Sequence, residues 1–241
     1  MKSFNQELKS ALVAEIRKHR EQDQVIQGIY GEASSGRFRG CAVGCSIDSL
    51  FRLGGHVLPH YLCGDHGIYE RELGIPKSLA ELQDVIHEGL SDESFPTWPE
   101  RFMEAVPTET DLSLVFPKFA LWLIVDPVFG MLEHTQDERT KREVYVAAGL
   151  VDTAVLGRTQ ISLEVWITKS HYLLKGCRID KAAQVVGQLL RACSSVGIRQ
   201  DMDRSLRGAA LVLGDYFSCN EQFYEKCAEK LIELLKAEGN G

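Results

Sequence analysis

The sequence predicts an all-α fold, a compact bundle of about ten helices with no significant sheet. Three observations lead there. Apolar residues recur at helical spacing along nearly the whole chain, as in Phe4, Leu8, Leu12 and Ile16. No segment sustains a period-two alternation, and no Asn-Gly turn joins two alternating runs. Capping residues and glycine stops punctuate the helical runs at intervals.

The elements follow in order. Ser3 and Gln6 are spaced as a capping box for a first helix, and residues 21–37 read as a polar, Gly/Ser-rich loop. A second helix covers about Cys41 to Leu53, and "LGGHVLPHYLCGD" then breaks it with two glycines and a proline. "DHGIYEREL" is a short helix with Asp65 as its cap. In "PKSLAELQDVIHEGL", Ser78 and Glu81 have capping-box spacing, Leu79, Leu82, Val85 and Ile86 form the stripe, and Gly89 suits the C-terminal cap. Thr97 and Glu100 repeat the box before "WPERFMEAV". Asp111 opens an apolar helix with Pro117 in its first turns, and Pro127 ends that helix or starts another. Longer helices follow over about 137–155, 160–175, 181–195, 202–218 and 221–237. Asp180 and Asn220 serve as N-caps, and Gly176 and Gly197 as stops. The organisation expected is an N-terminal helical lobe, 1–135, carrying the Cys/His-rich segment 38–67, and a C-terminal helical array, 136–241, packed without a flexible linker.

Charge and cysteine usage narrow the classes of function. With 27 basic and 34 acidic side chains the net charge is -7, a poor balance for contacting nucleic-acid phosphates or anionic lipid. Arg37 and Arg39 in "SSGRFRG" do not offset it. The N-terminal segment has no apolar run of signal-peptide length, and "LSLVFPKFALWLIV" is too short for a bilayer and contains Lys118. The expectation is a cytoplasmic protein, off the membrane and without nucleic acid. The seven cysteines are an odd number, and Cys177, Cys193, Cys219 and Cys227 lie in helical patterns among apolar neighbours, which reads as reduced thiols rather than a disulfide framework. GxxxxGK[ST], GxGxxG, GxSxG and HExxH are absent.

The segment "FRGCAVGCSIDSLFRLGGHVLPHYLCGDHG" concentrates the chemistry. Its order is C-x3-C-x10-H-x3-H-x2-C-x2-H, formed by Cys41, Cys45, His56, His60, Cys63 and His66. Those are enough ligands for a tetrahedral zinc ion, although no CxxC knuckle is present and Pro59 separates His56 from His60. In a second reading Cys41, at a helix N-terminus, is a low-pKa nucleophile, with His56, His60 or His66 as base and Asp65 as orienter. In a third, Gly40, Cys41, Gly44 and Cys45 are a thin face against which another helix packs closely. Glu81, Asp84 and Glu88, at i, i+3 and i+7 with His87 beside them, share a face that can bind a divalent cation or do acid–base work. A charge run of this kind is usually solvated. Trp98, Trp122 and Trp166 read as core or interface anchors.

"GCAVGCS", "YERELGIPKSLAELQDVIHEGL", "WPERFMEAV", "DLSLVFPKFALWLIVD" and "CAEKLIELL" together resemble a family of bacterial hypothetical proteins with no established activity. The resemblance runs to about residue 145 and returns in the last helix. It implies a bacterial cytosolic protein, or one carried by a mobile element, and supplies no catalytic residues. The functional expectation is a non-enzymatic helical binding or assembly protein, with a protein partner or self-association and no cofactor. The alternative is a thiol- or zinc-dependent enzyme built on Cys41 and the neighbouring histidines.

Overall fold

The computed structural model describes residues 4–34, 37–135, 137–157, 161–176, 180–194 and 221–239. The chain is all-α. Among the described residues ten α-helices occur: α1 (Gln6–Glu21), α2 (Ala42–Leu53), α3 (Lys77–Gly89), α4 (Trp98–Ala105), α5 (Val115–Val125), α6 (Met131–His134), α7 (Glu138–Val155), α8 (Leu163–His171), α9 (Lys181–Ser194) and α10 (Glu221–Glu238). Single π-helical turns at Tyr69–Leu73 and Tyr172–Gly176 interrupt the pattern. None of the described helices is long and apolar enough to cross a membrane. The helix expected over 202–218, its cap Asn220, the stop Gly197, and Cys177 and Cys219 lie outside the described residues.

Contacts divide the chain into two units, Met1–Leu112 with Tyr224–Gly241, and Ser113–Phe223. The division falls earlier than residue 135, and most of α10 belongs with the N-terminal part. In the first unit α2 is central, packed against α1, α3 and α4. Every residue from Ala42 to Ser49 is buried, so the polar side chains on this helix need internal partners. Ser46 and Ser49 donate back to the carbonyls of Ala42 and Cys45, each at 2.8 Å. Asp48 lies 2.6 Å from Arg52 and 3.2 Å from the buried His19 of α1. Leu12, Ile16, Leu79, Trp98, Phe102 and Met103 close the core around them. In the second unit α9 lies against α5, α6, α7 and α8. It buries Ala182, Val185, Val186, Leu189 and Leu190.

Several capping assignments change. Asn5, not a Ser3–Gln6 box, caps α1 by accepting from Leu8 N–H at 2.9 Å; Ser3 is outside the described residues. Pro76 stands at the cap of α3 and Ser78 is a buried residue of its first turn, so the Ser78–Glu81 box does not form. Thr97 makes no capping bond. Glu100 instead takes Arg17 at 2.6 Å and Arg20 at 3.1 Å, tying α4 to α1. Helix α5 starts at Val115 rather than near Asp111, with Pro117 in its first turn. Asp137 and Asp180 are true caps, accepting from Thr140 N–H at 2.9 Å and Ala183 N–H at 3.0 Å.

The segment read as a plain loop contains a small antiparallel hairpin, β1 (Glu32–Ser34) and β2 (Arg37–Arg39). Glu32 faces Arg39 across it, an opposite-charge pair that favours this register. Phe38 turns inward beside His19. Two three-residue strands carry too little alternation to show a period.

Candidate functional site

The opening of α2 is built for a close approach, and the approaching group is a backbone. Residues 24–31 run as a strap across the N-terminus of α2. Gly40 N–H donates to Gln24 O, Ile26 N–H to Gly40 O and Cys41 N–H to Ile29 O, all at 2.9 Å. A Cβ on Gly40 would lie 2.4 Å from the Tyr30 carbonyl oxygen, and one on Gly44 would lie 1.6 Å from it. A Cβ on Gly64 would meet the Tyr30 ring at 2.8 Å. The thin Gly/Cys face predicted to admit another helix therefore admits the strap.

The strap also fastens to the end of α3. Gln27 Nε2 donates to the carbonyls of His87 at 2.7 Å and Leu90 at 3.0 Å. Gly28 N–H donates to Glu88 Oε2 at 2.8 Å. His87 Nε2–H donates to Ile26 O at 3.0 Å. His87 is fully buried, and that burial holds its pKa below the usual value, so the ring is the neutral, single-donor form.

Cys41, His66, Asp84 and Glu88 meet beneath this strap. Cys41 is the N-cap of α2 and 1% exposed. Its thiol donates to Asp84 Oδ1 at 3.3 Å. The other carboxylate oxygen, Oδ2, takes His66 Nε2 at 3.2 Å, and the Tyr30 ring meets the His66 ring edge-on at 5.6 Å. Ligand atoms of Cys41, Asp84 and Glu88 all lie within 4.8 Å of one another. Spacing on α3 explains the carboxylates: residues three and four apart share a face, and here the face is turned inward. Glu81 is 5% exposed and Asp84 is partly buried, with Glu88 at the exposed rim. The solvated acidic face expected from the sequence is corrected accordingly. Behind the cluster, the Tyr69 hydroxyl donates to Gln83 Oε1 and Trp98 Nε1–H to Gln83 O, each at 2.9 Å.

The electrostatics oppose a resting thiolate. Burial pushes the Cys41 thiol well above its ordinary value, and the Asp84 charge pushes it further. The N–H groups of Val43 and Gly44 act the other way without closing a capping bond, and they lose. A helix N-terminus contributes a fraction of a charge, whereas Asp84 is a full charge in hydrogen-bond contact. The low-pKa nucleophile expected at this position is corrected in direction. Burial likewise raises the Glu88 carboxyl, opposed by the bond from Gly28 and reinforced by Asp84.

Of the six sequence candidates, the structure brings Cys41 and His66 to one carboxylate. Cys45 is buried in the α2 interior, its thiol 3.2 Å from Gly40 O, and Cys63 is buried beside Gly31. His56 and His60 are exposed, and neither enters a group of three metal-ligand side chains among the described residues. Asp65 accepts from Arg71 at 2.6 Å and from Gly67 N–H at 3.0 Å instead of orienting a histidine.

No family model, curated protein or solved structure matches the chain.

Proposed function

We propose that this protein binds a divalent metal ion, with zinc the best match to the donors, through Cys41, Asp84 and Glu88, and that His66 either orients Asp84 or supplies the fourth ligand. The observation that carries the reading is the convergence of one thiol and two carboxylates within 4.8 Å. Burial and the neighbouring Asp84 both disfavour ionisation of the Cys41 thiol and of the Glu88 carboxyl. A divalent cation reverses that balance, because it favours every anionic form at once and deprotonates a coordinating thiol. Sulfur, imidazole and carboxylate are donors that zinc accepts together. The His66–Asp84 bond supports the reading further, as carboxylate–imidazole pairs commonly orient metal ligands. Against nucleophilic catalysis stand the burial of Cys41 and its upward pKa, since reactive cysteines are accessible and low in pKa.

The test is the metal content of untagged protein after zinc loading and desalting, for wild type, Cys41→Ser and Asp84→Asn. The reading expects one zinc per chain in the wild type and a large loss in both variants, with helical circular dichroism retained. A wild type that leaves the column without metal refutes it.

A second reading, a helical binding protein with a protein partner or a second copy, draws on the surface at 53–61. Leu53, Val57 and Tyr61 are exposed, beside a groove of about 770 Å³ lined by Leu8, Leu50, Phe51, Leu62 and Ile68. Sedimentation and a pull-down compared between wild type and Val57→Ser/Tyr61→Ser check it; a strict monomer without a partner counts against it.

A further inference from the structure

We infer that the strap Gln24–Gly31 gates the inner half of the metal site, so that an ion at the exposed Glu88 rim cannot reach or leave Cys41 until the strap lifts, and that Glu88 couples the two by serving as both ligand and latch. The inference rests on the metal reading above.

The ligands sit on two elements. Cys41 is at the start of α2, while Asp84 and Glu88 belong to the last two turns of α3. The strap bridges those two ends. It bonds to α2 through Gly40 and Cys41, and to α3 through His87, Glu88 and Leu90. Tyr30 of the strap also meets the His66 ring edge-on. Glu88 is exposed and Asp84 partly so, whereas Cys41 and His66 are 1% and 4% exposed, so an ion meets Glu88 first and needs an opening to reach Cys41. Gln24 and Val25 anchor the strap in the core, while residues 26–31 are partly or fully exposed and open more readily than a helix packed on both sides.

Glu88 gives the gate its direction. One carboxylate oxygen, Oε2, already accepts from Gly28 N–H at 2.8 Å. A carboxylate has lone pairs to spare, so Glu88 can hold this bond and a metal together. Coordination fixes the Glu88 side chain in the position the strap requires, so loading the site tightens the strap. Removing the metal frees Glu88 and loosens it.

Gln27→Ala is the discriminating variant. It deletes two of the bonds to α3 and touches no ligand. Gly28→Ala is the second: Gly28 has φ +88° and open space around its Cβ, so alanine strains the strap without a clash. The measurements are zinc release to excess chelator and amide exchange across residues 24–41, with zinc and without. Loss of two ordinary hydrogen bonds predicts about tenfold faster release from Gln27→Ala. The thiolate absorption of cobalt-loaded protein stays unchanged, because the ligand set is intact. Gly28→Ala moves release in the same direction. Exchange at Ile26, Gly28 and Cys41 slows when wild-type protein is zinc-loaded. Release rates equal to wild type in both variants, or strap exchange indifferent to zinc, overturn the gate while leaving the metal site standing. A wild type that binds no zinc removes both.

Discussion

Gly44→Ala isolates the packing that assembles the site. On a solvated helix the change is favourable by about 1 kcal/mol, because alanine is the better helix former. Here the new methyl would lie 1.6 Å from the Tyr30 carbonyl oxygen, and contacts below 3.0 Å do not occur. The strap must therefore retreat by about 1.4 Å, the difference between those two distances. A shift of that size breaks the 2.9 Å bond from Cys41 N–H to Ile29 O. Overpacking of this kind costs about 1–3 kcal/mol and an orphaned buried donor about 1–3 kcal/mol more. After the helix gain is subtracted, a net loss of about 1–5 kcal/mol remains. Gly149 is the control. It lies within α7 with nothing near the position of its Cβ, so Gly149→Ala should stabilise by up to about 1 kcal/mol. Urea unfolding of the two variants reads the sign directly. A neutral or stabilised Gly44→Ala protein would refute the claim that the strap backbone rests on this helix.

Two further predictions concern titration and reactivity. His87 is buried with its pKa held below the ordinary 6.5, so the unfolded chain takes up the proton first as pH falls. Its contribution is fully present above pH 6.5 and is lost as the pH drops from there toward the lowered folded value, with a slope of at most about 1.4 kcal/mol per pH unit. His87→Gln should flatten the melting temperature across that window, and an unchanged slope would contradict the assignment. In metal-free protein at pH 8, alkylation mapped by mass spectrometry should label Cys41 no faster than Cys45, because burial raises both thiols; preferential labelling of Cys41 would mean an ionised, accessible sulfur.

Helix placement was readable because burial along an amphipathic helix repeats locally, and α1, α2, α7 and α9 lie close to where the period of their apolar residues puts them. Capping boxes were less readable. Ser78 and Glu81 have the right spacing, but Pro76 already starts the helix, and the pull of Arg17 and Arg20 on Glu100 comes from another helix. The same distinction applies to the site. Cys41 and His66 were visible as ligand types in one dense segment. Asp84 follows Cys41 by 43 residues, and no local pattern says that its face of α3 turns inward. Glycines 40 and 44 announced a close approach, yet composition alone cannot tell a helix from a strap. His56 and His60 drew attention by proximity in sequence, while the loop that carries them stays at the surface.

The most direct test of the account is the zinc content of wild-type protein set beside Asp84→Asn, which keeps the side-chain volume and removes the charge shared by Cys41 and His66. The account predicts one tightly held zinc per wild-type chain and a loss of at least about a hundredfold in affinity for the variant. Equal zinc in both, or none in either, would contradict it.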